Sequence, residues 1–126
     1  MMVEEVLFEI LRESDSNGPV RKCNLIIKDK FKLKKFYHSL DPYNPHEQNR
    51  PQPPSVDFTR DMVVAIARGV CPAEGYRTHI EEILEHEGKL IVIIHETDPQ
   101  GDLVFPACSY PYHIVKTRVY DGVVEF

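Results

Sequence analysis

The sequence lacks several features on which common classes of protein depend. It has no stretch of about 18 consecutive apolar residues, so no membrane span is predicted. The start of the chain has neither the basic region nor the small-residue cleavage site of a secretory signal, and we therefore expect a cytoplasmic protein unless an export segment has been removed. No phosphate-binding loop or dinucleotide fingerprint can be traced through Gly69 or Gly75, which are isolated glycines. Membrane-spanning proteins and the common nucleotide-binding folds are thereby set aside.

Cysteine is scarce, and the spacing of the three cysteines indicates neither a metal site nor a disulfide framework. Cys23, Cys71 and Cys108 cannot all pair within one chain, and none lies in a CxxC spacing. We expect three unpaired thiols, whereas a Cys71–Cys108 bridge would favour an exported protein. A nucleophilic cysteine needs a base nearby, and nothing in the sequence places one beside any of the three. We predict no catalytic residue, no enzymatic activity and no cofactor.

What is present is enough for one globular domain. A chain of 126 residues with 42% apolar composition can bury one sizeable core, so residues 1–126 are predicted to form a single domain. The net charge of -5 argues mildly against nucleic-acid binding. The charge is uneven, however, because residues 21–35 hold seven basic side chains and one acidic one.

One segment has clear helical periodicity. Leu33, Phe36, Tyr37 and Leu40 recur at helical spacing, Asp29 is a candidate cap, and Asp41-Pro42 is a stop signal, so a helix is predicted over about 29–40. Its basic residues, which begin at Lys28, could touch phosphates, with the aromatic rings stacking on bases. The simpler interpretation packs Phe36 and Tyr37 on a sheet and leaves the lysines in solvent, so we predict no nucleic-acid partner.

Most of the remaining chain indicates strands. The segment "VEEVLFEIL" fits both a helix and a strand, and we favour a strand that forms an opening hairpin with "VRKCNLII" across the turn-like residues between them. Residues 41–54 form a proline-rich, extended connection over the surface. After it come two nearly unbroken apolar runs, Met62 to Ala67 and Leu90 to Ile94, which are typical of central strands, and Glu87-Gly88 is a hairpin turn. The predicted fold is mostly β (α+β), an antiparallel sheet or sandwich with one amphipathic helix packed on it.

Six histidines raise the question of a metal site. A hairpin turning at Glu87-Gly88 would place His79 opposite Glu96 and His95 opposite Ile80. The two histidines would then point to opposite faces of the sheet, because a step of one residue inverts the side chain. A compact site needs ligands on one face, so no metal is predicted.

The stretch "VCPAEGYRTHI" stands between two apolar runs and raises a question of its own. Pro72 stiffens the approach, and Gly75 can adopt positive φ without a Cβ clash. Such a turn can project Tyr76, a residue type favoured at interfaces. The alternative is a simple corner in which Tyr76 packs across a neighbouring strand.

The second half of the chain resembles a known family. Residues 56–116 are similar to the C-terminal domain of the PrcB family, the protease complex subunit proteins, and we take the PrcB-like region of the domain as about 56–126. The similarity lies in Asp57-Phe58, the apolar strand ending in Gly69, Gly75-Tyr76 after a proline, Pro99 with Gly101, Pro111-Tyr112 and Ile114-Val115. The family commonly has two glycines before the tyrosine, where this chain has Glu74 and Gly75.

The resemblance implies a protein-binding domain and no catalytic residue. We therefore expect a non-enzymatic interaction or stabilising module, a subunit of a protease complex, whose partner is a protein. The candidate contact residues are Pro72, Glu74, Gly75, Tyr76, Tyr110 and Tyr112. The alternative function is a peptidase inhibitor that uses the same loop, by analogy with the similar Pro-to-Gly-Tyr loop of the chagasin-like inhibitors of cysteine proteases.

Overall fold

Strands dominate the secondary structure. The computed structural model describes residues 3–42, 44–101 and 107–126. Within these residues the elements are β1 (Glu4–Glu5), β2 (Phe8–Ser14), β3 (Cys23–Ile27), α1 (Lys30–His38), a 3₁₀ turn (Glu47–Asn49), β4 (Asp61–Ala67), β5 (Arg77–His86), β6 (Lys89–Thr97), β7 (Tyr112–Arg118) and β8 (Val123–Glu125). No helix in these residues is both long and apolar enough to cross a membrane. The prediction of a mostly β fold with one helix is confirmed.

The strands form two sheets of four. Sheet I has the order β1-β5-β6-β8, and sheet II has the order β2-β7-β4-β3. All neighbouring pairs are antiparallel except β6 and β8, which are parallel. The two apolar runs recognised in the sequence, β4 and β6, both occupy interior positions.

Sheet II is the middle of three layers, and β4 shows why its sequence is apolar throughout. Val63, Ala65 and Ala67 pack in a cluster with the residues of α1. The alternate residues Met62, Val64 and Ile66 pack in a second cluster, with side chains of sheet I. Successive side chains of a strand point to opposite faces, so a strand covered on both faces must be apolar at every position.

The helix is confirmed with slightly shorter bounds than predicted. Asp29 caps α1, because its side chain accepts a hydrogen bond of 2.8 Å from the backbone N–H of Lys32. Leu33, Phe36 and Tyr37 are buried against sheet II. The burial of Phe36 and Tyr37 means that these rings are not available to stack on nucleic-acid bases.

The opening hairpin is wrong, although both of its strands exist. β2 pairs with β7 and β3 pairs with β4, so β2 and β3 lie at opposite edges of sheet II. The intervening residues run across the molecule, where Gly18 donates a backbone hydrogen bond of 2.8 Å to Tyr110. Each of the two strands instead pairs with an interior strand of sheet II, β7 or β4, whose side chains are almost all buried.

The β5–β6 hairpin is confirmed, but its register differs from the prediction. Glu87 and Gly88 have φ of 51° and 75°, as a two-residue hairpin turn of this kind requires. The predicted pairing holds as far as Glu82 opposite Ile93, and an irregularity between Ile80 and Glu82 then shifts the register. His79 therefore lies opposite His95 and not opposite Glu96, because one extra residue in the bulge inverts every later side chain.

Candidate functional site

The loop between β4 and β5, residues 68–76, is the candidate site, and we call it the β4–β5 loop. Gly75 has φ of +97°, which confirms the positive φ expected from the sequence. A Cβ added to Gly75 would lie 2.8 Å from the Cβ of Pro99, a distance at which something must shift. Glycine is therefore needed here both for its backbone conformation and for the close approach to the segment after β6.

Arg68 holds the loop against the end of β6. Its Nε lies 2.8 Å from Oε2 of Glu96, and its Nη2 bonds the Asp98 carboxylate. Nη1 donates to the backbone carbonyls of Thr97, at 3.0 Å, and Arg77, at 3.2 Å. The side chain is only 15% exposed. One guanidinium thus connects the end of a strand of sheet II to two strands of sheet I.

The guanidinium of Arg68 also covers one face of the ring of Tyr76, one of the predicted contact residues. Its Cζ lies 4.9 Å from the ring centroid of Tyr76, within the range of a cation–π interaction. Burial by itself lowers the pKa of Arg68, but the hydrogen bond to Asp98 and the charges of Glu96 and Asp98 outweigh it and raise the pKa. Arg68 therefore stays charged, and Tyr76 has a fixed partner below its ring.

A second set of bonds holds the base of the loop. Cys71 and Ser109 exchange backbone hydrogen bonds of 2.8 and 3.0 Å. The hydroxyl of Ser109 donates a bond of 2.7 Å to the carbonyl of Ala73. Ser109 and Ala73 are both buried, so these bonds are shielded from water. The loop is consequently fixed at both ends, by Arg68 and by Ser109.

Cys71, the cysteine within this loop, is not placed as a reactive thiol. All three cysteines are free, with Cys71 buried and Cys108 exposed. Burial raises the pKa of Cys71, and the positive charge of Arg68 opposes this only in part. Because the thiolate is the nucleophilic form, a raised pKa makes Cys71 a poor nucleophile.

The six predicted contact residues fall into different environments. Pro72, Glu74 and Gly75 are exposed together on the β4–β5 loop, and Tyr76 beside them is half-buried. Tyr110 is also half-buried and follows Ser109, which pairs with the base of the loop. The structure thus brings Pro72, Glu74, Gly75 and Tyr76 together on the loop. Tyr110 lies next to Ser109, which holds the base of that loop.

Tyr112 belongs to the interior. It is 1% exposed and packs in the cluster between α1 and sheet II. Its hydroxyl accepts a hydrogen bond of 2.9 Å from Nε of Arg12. Burial raises the pKa of Tyr112, while the bond and charge of Arg12 oppose the rise. The ring of Tyr112 is therefore not part of the surface that the loop presents.

Sequence reasoning missed the residues that support the loop: Arg68, Glu96 and Asp98. The available signal is an arginine directly after the apolar run of β4 and two acids at the end of β6. That signal is weak on its own, since charged residues usually end strands at the surface. Their pairing depends on how sheet I lies over sheet II, which local sequence does not specify.

The register shift also brings three histidines together. The ring centroids of His79 and His95 are 5.2 Å apart, and those of His79 and His113 are 6.3 Å apart. In the part of the chain that the structure describes, no three His, Cys, Asp or Glu side chains are arranged to hold a metal ion. His113 is nevertheless distinctive, because its Nδ1 accepts a hydrogen bond of 2.8 Å from the backbone N–H of Ile80.

The other nitrogen of His113 is poorly satisfied. Nε2 is buried and has no hydrogen-bond partner among the described residues, although Oε2 of Glu13 lies 3.3 Å away. We interpret the approach of Nε2 to Oε2 of Glu13 as a close contact that lacks the alignment of a hydrogen bond. Burial lowers the pKa of His113, His79 acts in the same direction, and the Glu13 carboxylate opposes them. The neutral ring is therefore the form that the fold accommodates.

We predict that stability falls as the pH drops below the ordinary histidine pKa of about 6.5. A lowered pKa means that the unfolded chain binds the proton more readily, so stability is full above about pH 6.5 and decreases as the pH falls toward the folded pKa. Thermal unfolding between pH 7.5 and pH 5 measures this slope. His113→Asn, whose amide oxygen can take the place of Nδ1 and accept the Ile80 bond but cannot titrate, should have a shallower slope than wild type. The same change at exposed His46, His46→Asn, should leave the slope unchanged. Equal slopes in all three proteins would contradict the prediction.

The comparison with known families bears on this same region. Residues 62–118 match the family model described as PrcB C-terminal. The resemblance seen in the sequence is confirmed. The PrcB-like segment runs from β4 to β7 and contains the β4–β5 loop and the residues that hold it, whereas α1 and the first three strands lie outside the match. No curated protein and no solved structure matches the chain.

Proposed function

We propose that this protein is a non-enzymatic subunit or stabilising factor of a protease complex and that the β4–β5 loop contacts its partner protein. The observation that carries the proposal is the fixed presentation of exposed residues within the PrcB-like segment. Pro72, Glu74 and Gly75 stand in solvent, and the residues on either side of them are held by Arg68 and Ser109. A loop that is ordered before binding loses less conformational entropy when it binds.

The chemistry of the loop supports a binding role over a catalytic one. Arg68 is engaged by two carboxylates and two carbonyls, so most of its N–H donors are already used in holding the loop. The Cys71 thiol is buried and has a raised pKa. Tyr76, by contrast, retains a partly exposed ring with a polar hydroxyl, which suits a protein interface.

A peptidase inhibitor is the second candidate, and the same rigidity favours it. An inhibitor must present its loop in one conformation to enter a protease cleft without rearrangement. The contacts of the loop with Pro99, Arg68 and Ser109 would keep it in one conformation. The same rigidity suits both an inhibitor and an assembly contact. The two candidates differ in what happens to the activity of the protease.

One experiment separates the two candidates. Tagged protein is recovered from a native lysate of its own cells after mild cross-linking, co-eluting proteins are identified, and peptidase activity is measured in the eluate and in lysate supplemented with the purified protein. A complex subunit should co-elute with a peptidase whose activity is preserved. An inhibitor should co-elute with a peptidase whose activity is lost. Recovery without any peptidase would contradict both.

A further inference from the structure

A second surface, remote in sequence from the β4–β5 loop, lies along β3. β3 is the last strand of sheet II, and among the described residues it pairs only with β4. An edge strand presents backbone donors and acceptors that can pair with another chain. The question is which backbone groups of β3 face outward.

The hydrogen bonds at the two ends of β4 determine the direction of its backbone groups. The N–H of Arg68 donates to Pro111, and the N–H of Val119 donates to Arg60, both at 2.9 Å. These pairs continue the β4–β7 register, so the even-numbered residues of β4 bond to β7. The odd-numbered residues must therefore bond to β3.

The β3–β4 register then fixes the free groups. The residues of β3 that lie opposite odd-numbered residues of β4 are Cys23, Leu25 and Ile27. Their backbone N–H and C=O groups therefore point toward β4 and bond to it. Asn24 and Ile26 alternate with them, so their N–H and C=O groups point away from the sheet, toward the open edge. This edge offers two donors and two acceptors at the spacing of a β-ladder.

An apolar groove lies beside this edge, between β3 and α1. Its volume is about 460 Å³, and its walls include Leu25 and Ile27 from β3 and Phe36 from α1. Leu25 is 39% exposed. A strand added to β3 would direct every second side chain into this groove, since side chains alternate between the faces of a sheet.

The rim of the groove is basic. Arg21, Lys32 and Lys35 line it, and no acidic side chain in the described part of the chain lies within ion-pair distance of any of the three. This concentration of unpaired positive charge contrasts with the net charge of -5 of the whole chain. Charge complementarity therefore selects an acidic occupant.

We propose that the β3 edge and its groove bind an extended, acidic peptide segment of a partner protein, which adds to sheet II as a fifth strand. Pairing of β3 with β3 of a second copy would bring two basic rims together, so a second copy is the less favourable occupant. A nucleic acid would gain from the charges but not from the apolar walls or the free backbone edge. Recognition through main-chain bonds together with side-chain pockets is a known mode of peptide binding.

The test uses a fluorescent heptapeptide of sequence Glu-Thr-Val-Thr-Val-Thr-Glu, in which valine and glutamate lie on the same face of an extended strand, compared with one in which lysine replaces glutamate. Anisotropy measures binding, and nitrogen-15 NMR locates it. The glutamate peptide should bind and shift the amide signals of Asn24 and Ile26, and the lysine peptide should bind at least about tenfold more weakly. Absence of binding by the glutamate peptide at millimolar concentration, or equal binding of both peptides, would overturn the proposal.

Two pairs of variants test the two components of the site. Asn24→Pro removes an outward N–H without breaking a bond to β4, and should weaken peptide binding at least about threefold relative to Asn24→Ala. The double change Lys32→Glu with Lys35→Glu should abolish binding. Lys30→Glu with Lys34→Glu makes the same charge change on the other side of the helix, since these residues do not line the groove, and should weaken binding far less.

Other occupants give different results in the same assays. Tighter binding of an oligothymidine than of the glutamate peptide, lost in the Lys32 and Lys35 double variant, would replace the proposal with nucleic-acid binding. A dimer in sedimentation analysis that Asn24→Pro dissociates would replace it with pairing between two copies. Thermal unfolding of every variant establishes that a loss of binding is not a loss of fold.

Discussion

Arg68→Ala should lower the free energy of unfolding by about 2–3 kcal/mol and release the β4–β5 loop. The change removes the donors that satisfy the carbonyls of Thr97 and Arg77, two carboxylate contacts and the cation–π contact with Tyr76. Hydrogen bonds to charged groups contribute about 1.5–3 kcal/mol each. We expect less than their sum, because Glu96 and Asp98 are partly exposed and regain water. Urea unfolding measures the loss, and amide hydrogen exchange measures the release of the loop.

The control is another arginine of the same region. Arg77 pairs with Asp15 at 3.3 Å, but both side chains are largely exposed, so Arg77→Ala should have little effect on stability. Arg68→Lys keeps the charge but cannot bond four acceptors at once, and it should be intermediate. If Arg68→Ala unfolds at the same urea concentration as Arg77→Ala, the role assigned to Arg68 is wrong.

Tyr76→Ala should weaken partner capture by roughly thirtyfold while changing the stability of the free protein by about 1 kcal/mol or less. The binding loss corresponds to about 2 kcal/mol, typical of an aromatic interface anchor. The small stability change follows from the position of the ring, which is half-buried and packs on Arg68. A core aromatic truncated to alanine would instead lose about 3–5 kcal/mol. Partner capture and thermal unfolding of the same variant distinguish the two.

Two further variants show whether a loss of binding in Tyr76→Ala comes from the ring itself or from a change in the loop. Tyr76→Phe keeps the ring and should retain most of the binding. Gly75→Ala should destabilise the free protein more than Gly101→Ala does. Both glycines have φ of +97°, but among the residues that the structure describes only a Cβ at Gly75 meets a neighbour, Pro99. A Tyr76→Ala protein that melts far below wild type would mean that the loop is a corner between strands.

Local sequence was sufficient for the elements whose signals are local. The spacing of Leu33, Phe36 and Tyr37, with Asp29 before them, specified a helix, because one face must be buried and the first turn must be capped. Glu87-Gly88 specified a hairpin, since a glycine between two strand-like segments readily adopts the positive φ that a two-residue turn requires. The unbroken apolar run of β4 specified a strand covered on both faces. The PrcB resemblance, too, was recoverable from short patterns in order along the chain.

Only the tertiary structure decided which distant segments meet. Backbone hydrogen bonding does not depend on side-chain identity, so the turn residues before β3 could not show that β7 and β4 lie between β2 and β3. The bulge between Ile80 and Glu82 was invisible for the same reason, and it moved His79 to the face of His95. Arg68 meets Asp98 because sheet I lies over sheet II. The sequence by itself therefore determined the elements and the loop, whereas the packing of the two sheets determined what holds that loop and left the edge of β3 open.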